Sequence, residues 1–208
     1  MTTFLFDLEI LTAEAARDNA PAWAGPSLRY TNSFLSPSVH AAVSARNALE
    51  NPTWSRDRLS GSWHPWITHT DFQTVDHDYA MLCVDLRCRC FMKRDLENDR
   101  DTKCSCVGDL MFQTICTRCE ANFVTDNEKT AVEAWHDHAF PGWRDLPVIP
   151  PTRSDAARAT FIEVNYPEAW KVQHAPIRTT RLKYGTRHVP GRSPWGGFDL
   201  TGAVANTP

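Results

Sequence analysis

The chain lacks any apolar run that approaches the length of a membrane span, and its longest N-terminal apolar stretch, Phe4 to Phe6, is far too short for a secretory signal. These two absences point to the cytoplasm. No Gly-x-Ser-x-Gly turn, phosphate-binding loop or dinucleotide fingerprint occurs, so serine-hydrolase and nucleotide-cradling chemistry have no sequence support. Glycine is scarce, nine residues against 14 prolines in 208, which suggests many connecting loops around modest cores. Cysteine is absent before Cys83 and after Cys119. Seven are present, an odd number with six of them in tight pairs, which excludes a complete internal disulfide framework and suits reduced thiols that ligate metal.

What the chain does have is concentrated between Cys104 and His138: a Cys-x-Cys, then Cys116-x-x-Cys119, then His136-x-His138. Thiolates and imidazoles at these spacings suit a tetrahedral zinc ion, which takes two ligands from a tight turn and two from elements folding over it. The expected set is Cys106, Cys116, Cys119 and His138, with Cys104 and His136 as alternates. Cys104, Cys106, Cys116 and Cys119 could also form an all-cysteine ribbon. A second site could use Cys88 and Cys90 with His64 or His69. The competing reading is a group of buried free cysteines, since cysteine is among the most buried residue types.

The pattern predicts an α+β chain, a small zinc-stabilised strand–knuckle–helix unit within an irregular, loop-rich domain. Residues 1–60 read as an N-terminal helical segment, 61–150 as the zinc-binding core and 151–208 as a basic, Pro/Gly-rich arm. Residues 1–35 look loosely organised, with one Ala-rich helical turn after Thr12. Ser36 then caps a helix with Pro37 at its first position and Val39, Ala42 and Val43 on its apolar face. Trp54 to His77 reads as ordered loop. Met81 to Phe91 alternates as a half-buried strand, and a second strand covers Leu110 to Cys116. Thr125 and Glu128 form a capping box that opens a helix running to about Ala139, before Pro141-Gly142. Thr160 to Tyr166 reads as a strand, and the last forty residues as extended or wrapped.

The formal charge of −3 hides an asymmetry. Six of the 22 Lys and Arg lie between Lys171 and Arg192, and no acid lies between Glu168 and Asp199, which leaves 16 basic against 25 acidic residues elsewhere. Arg178, Arg181, Lys183, Arg187 and Arg192 are therefore the candidate contacts for nucleic acid or a protein partner. Tyr184 and Trp195 could stack on bases. The alternative is a tail packed on its own acidic body.

The stretches Cys104-x-Cys106-Val-Gly-Asp-Leu110, Cys116-x-x-Cys119 and His136-Asp-His-Ala-Phe-Pro-Gly-Trp-Arg-Asp-Leu-Pro-Val148, with Pro176-Ile-Arg-Thr179 and the Gly185–Gly197 segment, resemble an uncharacterised family of small proteins of actinobacteria, their phages and mobile elements. The resemblance implies no activity. It implies a mobile-element protein in contact with nucleic acid or host machinery. The favoured expectation is a non-enzymatic zinc module that binds nucleic acid. A protein-binding adaptor or inhibitor of a host protein is the alternative, with Leu5-Phe6 faintly similar to sliding-clamp docking peptides. A metal-dependent nuclease is a third, because Asp137-His138 after Cys-x-x-Cys superficially resembles His-Asn-His nucleases. That match is poor: His138 ends a helix, and no second Cys-x-x-Cys follows.

Overall fold

The computed structural model describes residues 3–28, 30–50, 61–66, 71–86, 109–180, 186–188 and 195–200. In chain order these form α1 (Thr3–Asp18), α2 (Pro37–Glu50), β1 (His64–Pro65), β2 (Phe72–Gln73), β3 (Asp78–Asp85), β4 (Leu110–Cys116), β5 (Ala121–Thr125), α3 (Glu128–Ala139), α4 (Asp155–Asn165), β6 (Thr186–His188) and β7 (Phe198–Leu200). Helices combine with a sheet of order β1-β3-β4-β5, in which β2 also pairs with β3, and a separate antiparallel β6-β7 pair. The expected α+β class is borne out. The chain divides into two compact units, Met1–Trp66 with Leu82–Phe112, and Ile67–Met81 with Gln113–Pro208.

In the first unit, α1 replaces the loosely organised start that composition suggested. Nine of its 16 residues are Ala, Leu, Glu or Arg, which are good helix formers, and no Gly or Pro interrupts them. Helix α2 begins where expected, with the Val39 N–H donating to Ser36 Oγ. Its buried face is shifted, however, and carries His40, Val43 and Asn47 instead of Val39 and Ala42. Asn47 finds a partner in Ser62 Oγ at 2.8 Å, and the Trp63 indole donates to the Thr31 carbonyl. Strand β1 pairs antiparallel with β3 through His64↔Cys83 and Pro65↔Leu82. Met81, Leu82, Cys83 and Val84 are all buried, so this part of the expected strand does not alternate; residues 87–91 of it lie outside the described residues.

The second unit holds an aromatic core. Phe72 of β2 stacks on Tyr79 of β3 at 4.8 Å, and Trp135 of α3 meets both edge-on. Phe198 of β7 completes the cluster against Tyr79 and His136. The segment expected to be a strand at Thr160–Tyr166 lies in α4 and the residue after it. The Ser154 hydroxyl accepts from the Ala157 N–H, Asp155 sits in the first turn and only Ile162 is buried, so local capping outweighs the β-branched run. The C-terminal stretch is not merely wrapped. Ala175, Ile177, Phe198 and Leu200 are fully buried, and the Ile177 N–H and carbonyl bond Phe198 and Leu200 at 2.7 Å. A Cβ at Gly197 would run into the backbone carbonyl of Ala175, which explains glycine there.

Candidate metal centre

Three local structures bring the site together, and each has a reason in the sequence. The turn Thr74–His77 joins β2 to β3. Thr74 Oγ1 accepts from the His77 N–H at 2.9 Å and donates to the His77 carbonyl, which fixes the backbone of His77 at the mouth of the hairpin. The knuckle Cys116–Cys119 joins β4 to β5, closed by the Glu120 N–H on the Thr117 carbonyl, with Glu120 itself at φ 51. Helix α3 supplies His138. Its N-cap is Asn127, whose side chain accepts from the Thr130 N–H, and not the expected Thr125–Glu128 box; Thr125 instead accepts from the Asn127 N–H. The buried Thr114 hydroxyl ties β4 to α3 through the Ala131 carbonyl.

His77, Cys116, Cys119 and His138 converge so that one donor atom from each lies within 4.8 Å of every other. Cys116 is fully buried, Cys119 is exposed, and the two histidines are half-buried. His77 Nδ1 stands 3.6 Å from Cys116 Sγ and 3.4 Å from Cys119 Sγ. An ion bound tetrahedrally through sulfur at about 2.3 Å and nitrogen at about 2.0 Å imposes S···N edges of about 3.5 Å. The two His77–sulfur spacings are close to such an edge, in a cluster whose donor atoms lie within 4.8 Å of one another. The His138 ring meets that of His77 at 4.7 Å, and its Nε2 is buried with no hydrogen-bond partner among the described residues. Burial and the neighbouring His77 lower the His138 pKa, so its neutral, ligating form is favoured. Burial pushes the Cys116 thiol up, so a bare thiolate is disfavoured there and a cation is what would stabilise one. The residues present could hold a metal ion, and its chemistry would be that of a four-point cross-link.

Asp78 sits directly behind this cluster. Its carboxylate accepts from the Thr117 hydroxyl, from the Arg118 N–H at 3.0 Å and from Cys116 Sγ at 3.4 Å. Burial raises its pKa, but these hydrogen bonds outweigh that and hold the carboxyl below its ordinary value. The Arg118 guanidinium reaches back to the Val75 carbonyl, tying knuckle to turn a second time.

Cys116, Cys119 and His138 of the expected ligand set therefore meet, and His77 stands beside them. Cys106, and with it Cys104, Cys88 and Cys90, lies outside the described residues. His136 does not join the cluster. It is fully buried against Trp135, Phe140 and Phe198, and Nδ1 donates to the Val132 carbonyl at 2.7 Å. His64, considered for a second site, has Nε2 3.0 Å from Cys83 Sγ. Sequence reasoning missed His77, 39 residues before Cys116. The available signal was its position just ahead of the run of apolar residues from Tyr79, where a hairpin turn was to be expected.

Of the basic segment, Lys171 pairs with Glu163 and Glu168, and Arg178 donates to the Arg144 and Leu146 carbonyls. Arg187 has its backbone in β6; Arg181, Lys183 and Arg192 lie outside the described residues. Asp137, beside His138, accepts from the Trp143 indole at 2.7 Å and from Arg144, which itself stacks over Trp143. That carboxylate is thus spent on holding the end of α3.

A family of unknown function (DUF6349) matches residues 25–208, and the chain belongs to it. No curated protein and no solved structure matches. Among the described residues, no helix is long and apolar enough to cross a membrane.

Proposed function

From that membership, which brings no activity with it, we propose that His77, Cys116, Cys119 and His138 hold one structural zinc ion in a non-enzymatic binding protein. The convergence of these four donors from three separate segments carries the reading. Two thiolates and two imidazoles suit zinc, and four protein ligands close the coordination shell, whereas catalytic zinc keeps a position open for water or substrate. The ion would lock the β2–β3 turn, the knuckle and α3 into one body, so its binding energy acts as folding energy. With His138 taken up as a ligand in this arrangement, the nuclease reading would lose the histidine it needs to activate water.

The partner we propose is nucleic acid, in a cytoplasmic protein of actinobacteria, their phages or mobile elements. Lys171 and Arg178 are engaged internally, so Arg181, Lys183, Arg187 and Arg192 are the cations proposed to meet phosphates. Four such contacts give a log–log salt slope of about −3 to −4 on duplex. Titration of duplex and single-stranded oligonucleotides across a salt series tests this, and salt-independent binding or none would contradict it.

One observation favours a second reading, a protein-binding adaptor. Leu8 and Leu11 of α1 are 59% and 61% exposed, one helical turn apart. An adaptor of this kind would bind a host protein with no salt-graded affinity for nucleic acid, and Leu8→Ser with Leu11→Ser would abolish capture.

A further inference from the structure

We propose that Asp78 is the positioning residue of the metal site, the group that holds the knuckle and the ligand-bearing helix in register for the ion. The inference rests on the metal reading above and extends it to a residue that is no ligand. Asp78 follows His77 directly, so its backbone moves with that ligand. Its carboxylate spans the knuckle, accepting from the Thr117 hydroxyl and the Arg118 N–H. Its backbone carbonyl accepts from the Trp135 indole at 3.0 Å, on the same helix as His138 and three residues before it. One residue thereby touches every segment that supplies a donor. Partners just outside the ligand shell fix ligand orientation and commonly change affinity by roughly 10- to 100-fold.

The charge matters as well as the geometry. Asp78 Oδ1 lies 3.4 Å from Cys116 Sγ, so its carboxylate charge borders the donor cluster directly. Asp78 thus adds negative charge that draws the ion in, while Thr117 and the Arg118 N–H keep it from swinging onto the ion itself.

The test uses the full chain with Asp78→Ala, Asp78→Asn and Thr117→Val. Zinc affinity is read by competition with a chromophoric chelator, and site geometry by the visible bands of bound cobalt(II). We expect Asp78→Ala to bind zinc roughly 10- to 100-fold more weakly, with weakened tetrahedral cobalt bands. Asp78→Asn keeps an acceptor oxygen without the charge and should recover part of that loss. Thr117→Val removes one donor at an accessible position and should lose several-fold, which keeps the test decisive if Asp78→Ala does not fold. Parent-like affinity and cobalt spectra in both Asp78→Asn and Thr117→Val would overturn the positioning role alone. A parent protein that binds neither zinc nor cobalt would overturn the metal reading, and the role of Asp78 with it.

Discussion

The indole Nε1 of Trp135 donates to the backbone carbonyl of Asp78 at 3.0 Å, joining the helix that carries His138 to the residue after His77. Trp135 is otherwise enclosed by Phe72, Tyr79, His136 and Phe140, and none of its surface reaches solvent. The bond is part-buried, and its loss would remove a direct tie between α3 and the β2–β3 turn. Trp135→Phe should keep most of the ring packing, lower stability by roughly 1–3 kcal/mol and weaken metal retention. Urea unfolding of parent and variant, each with and without added zinc, measures both effects.

His40 gives a pH dependence remote from the metal centre. It is buried in α2, neither ring nitrogen has a hydrogen-bond partner among the described residues, and burial lowers its pKa from 6.5 to about 4. The sign follows from where the proton goes. Above 6.5 both folded and unfolded chains hold the ring neutral, so its contribution is fully present. Between 6.5 and about 4 the unfolded chain takes up the proton that the folded one refuses, and stability falls. The loss should be on the order of 1–2 kcal/mol by the lower end of that window, after allowing for solvent screening. His40→Leu should remove this part of the acid-induced loss, as read from urea midpoints at neutral and mildly acidic pH.

The sequence reveals the local pieces of this site better than their assembly. Cys116-x-x-Cys119 announces the knuckle because two thiols at that spacing need a tight turn, and Pro141-Gly142 stops α3 where a left-handed Gly142 leaves the helix. His77 carries no comparable mark. It lies in a Trp- and His-rich stretch without periodicity, and only the pairing of β2 with β3 brings it to the knuckle. The reading of Thr160–Tyr166 as a strand fails for a local reason instead: the Ser154 cap starts a helix that runs through its β-branched Thr160, Ile162 and Val164. Asp78 carries no mark in the sequence either, because its hydrogen bonds run to Thr117 and Arg118, some 40 residues away.

The basic segment separates into two groups with different expected behaviour. Arg178 donates to the Leu146 and Arg144 carbonyls, so Arg178→Ala should cost about 1–3 kcal/mol of stability with little change in nucleic-acid affinity. Changing Arg181, Lys183, Arg187 and Arg192 together to Ala should do the reverse, weakening binding and flattening its salt slope while the melting temperature and metal content hold. Thermal unfolding and oligonucleotide titration on the two variants decide this. A quadruple variant that melts early from a parent without nucleic-acid affinity would favour a tail packed on its own acidic body.

The ligand set itself admits a direct comparison of His77 with Cys106, the residue the sequence spacing favoured for the fourth position. Native mass spectrometry, with elemental analysis after chelator-free purification, should find about one zinc per chain in the parent and in Cys106→Ser. It should find little or none in His77→Ala, Cys116→Ser, Cys119→Ser and His138→Ala. A parent without zinc, or a His77→Ala variant that keeps its zinc while Cys106→Ser loses it, would contradict the account.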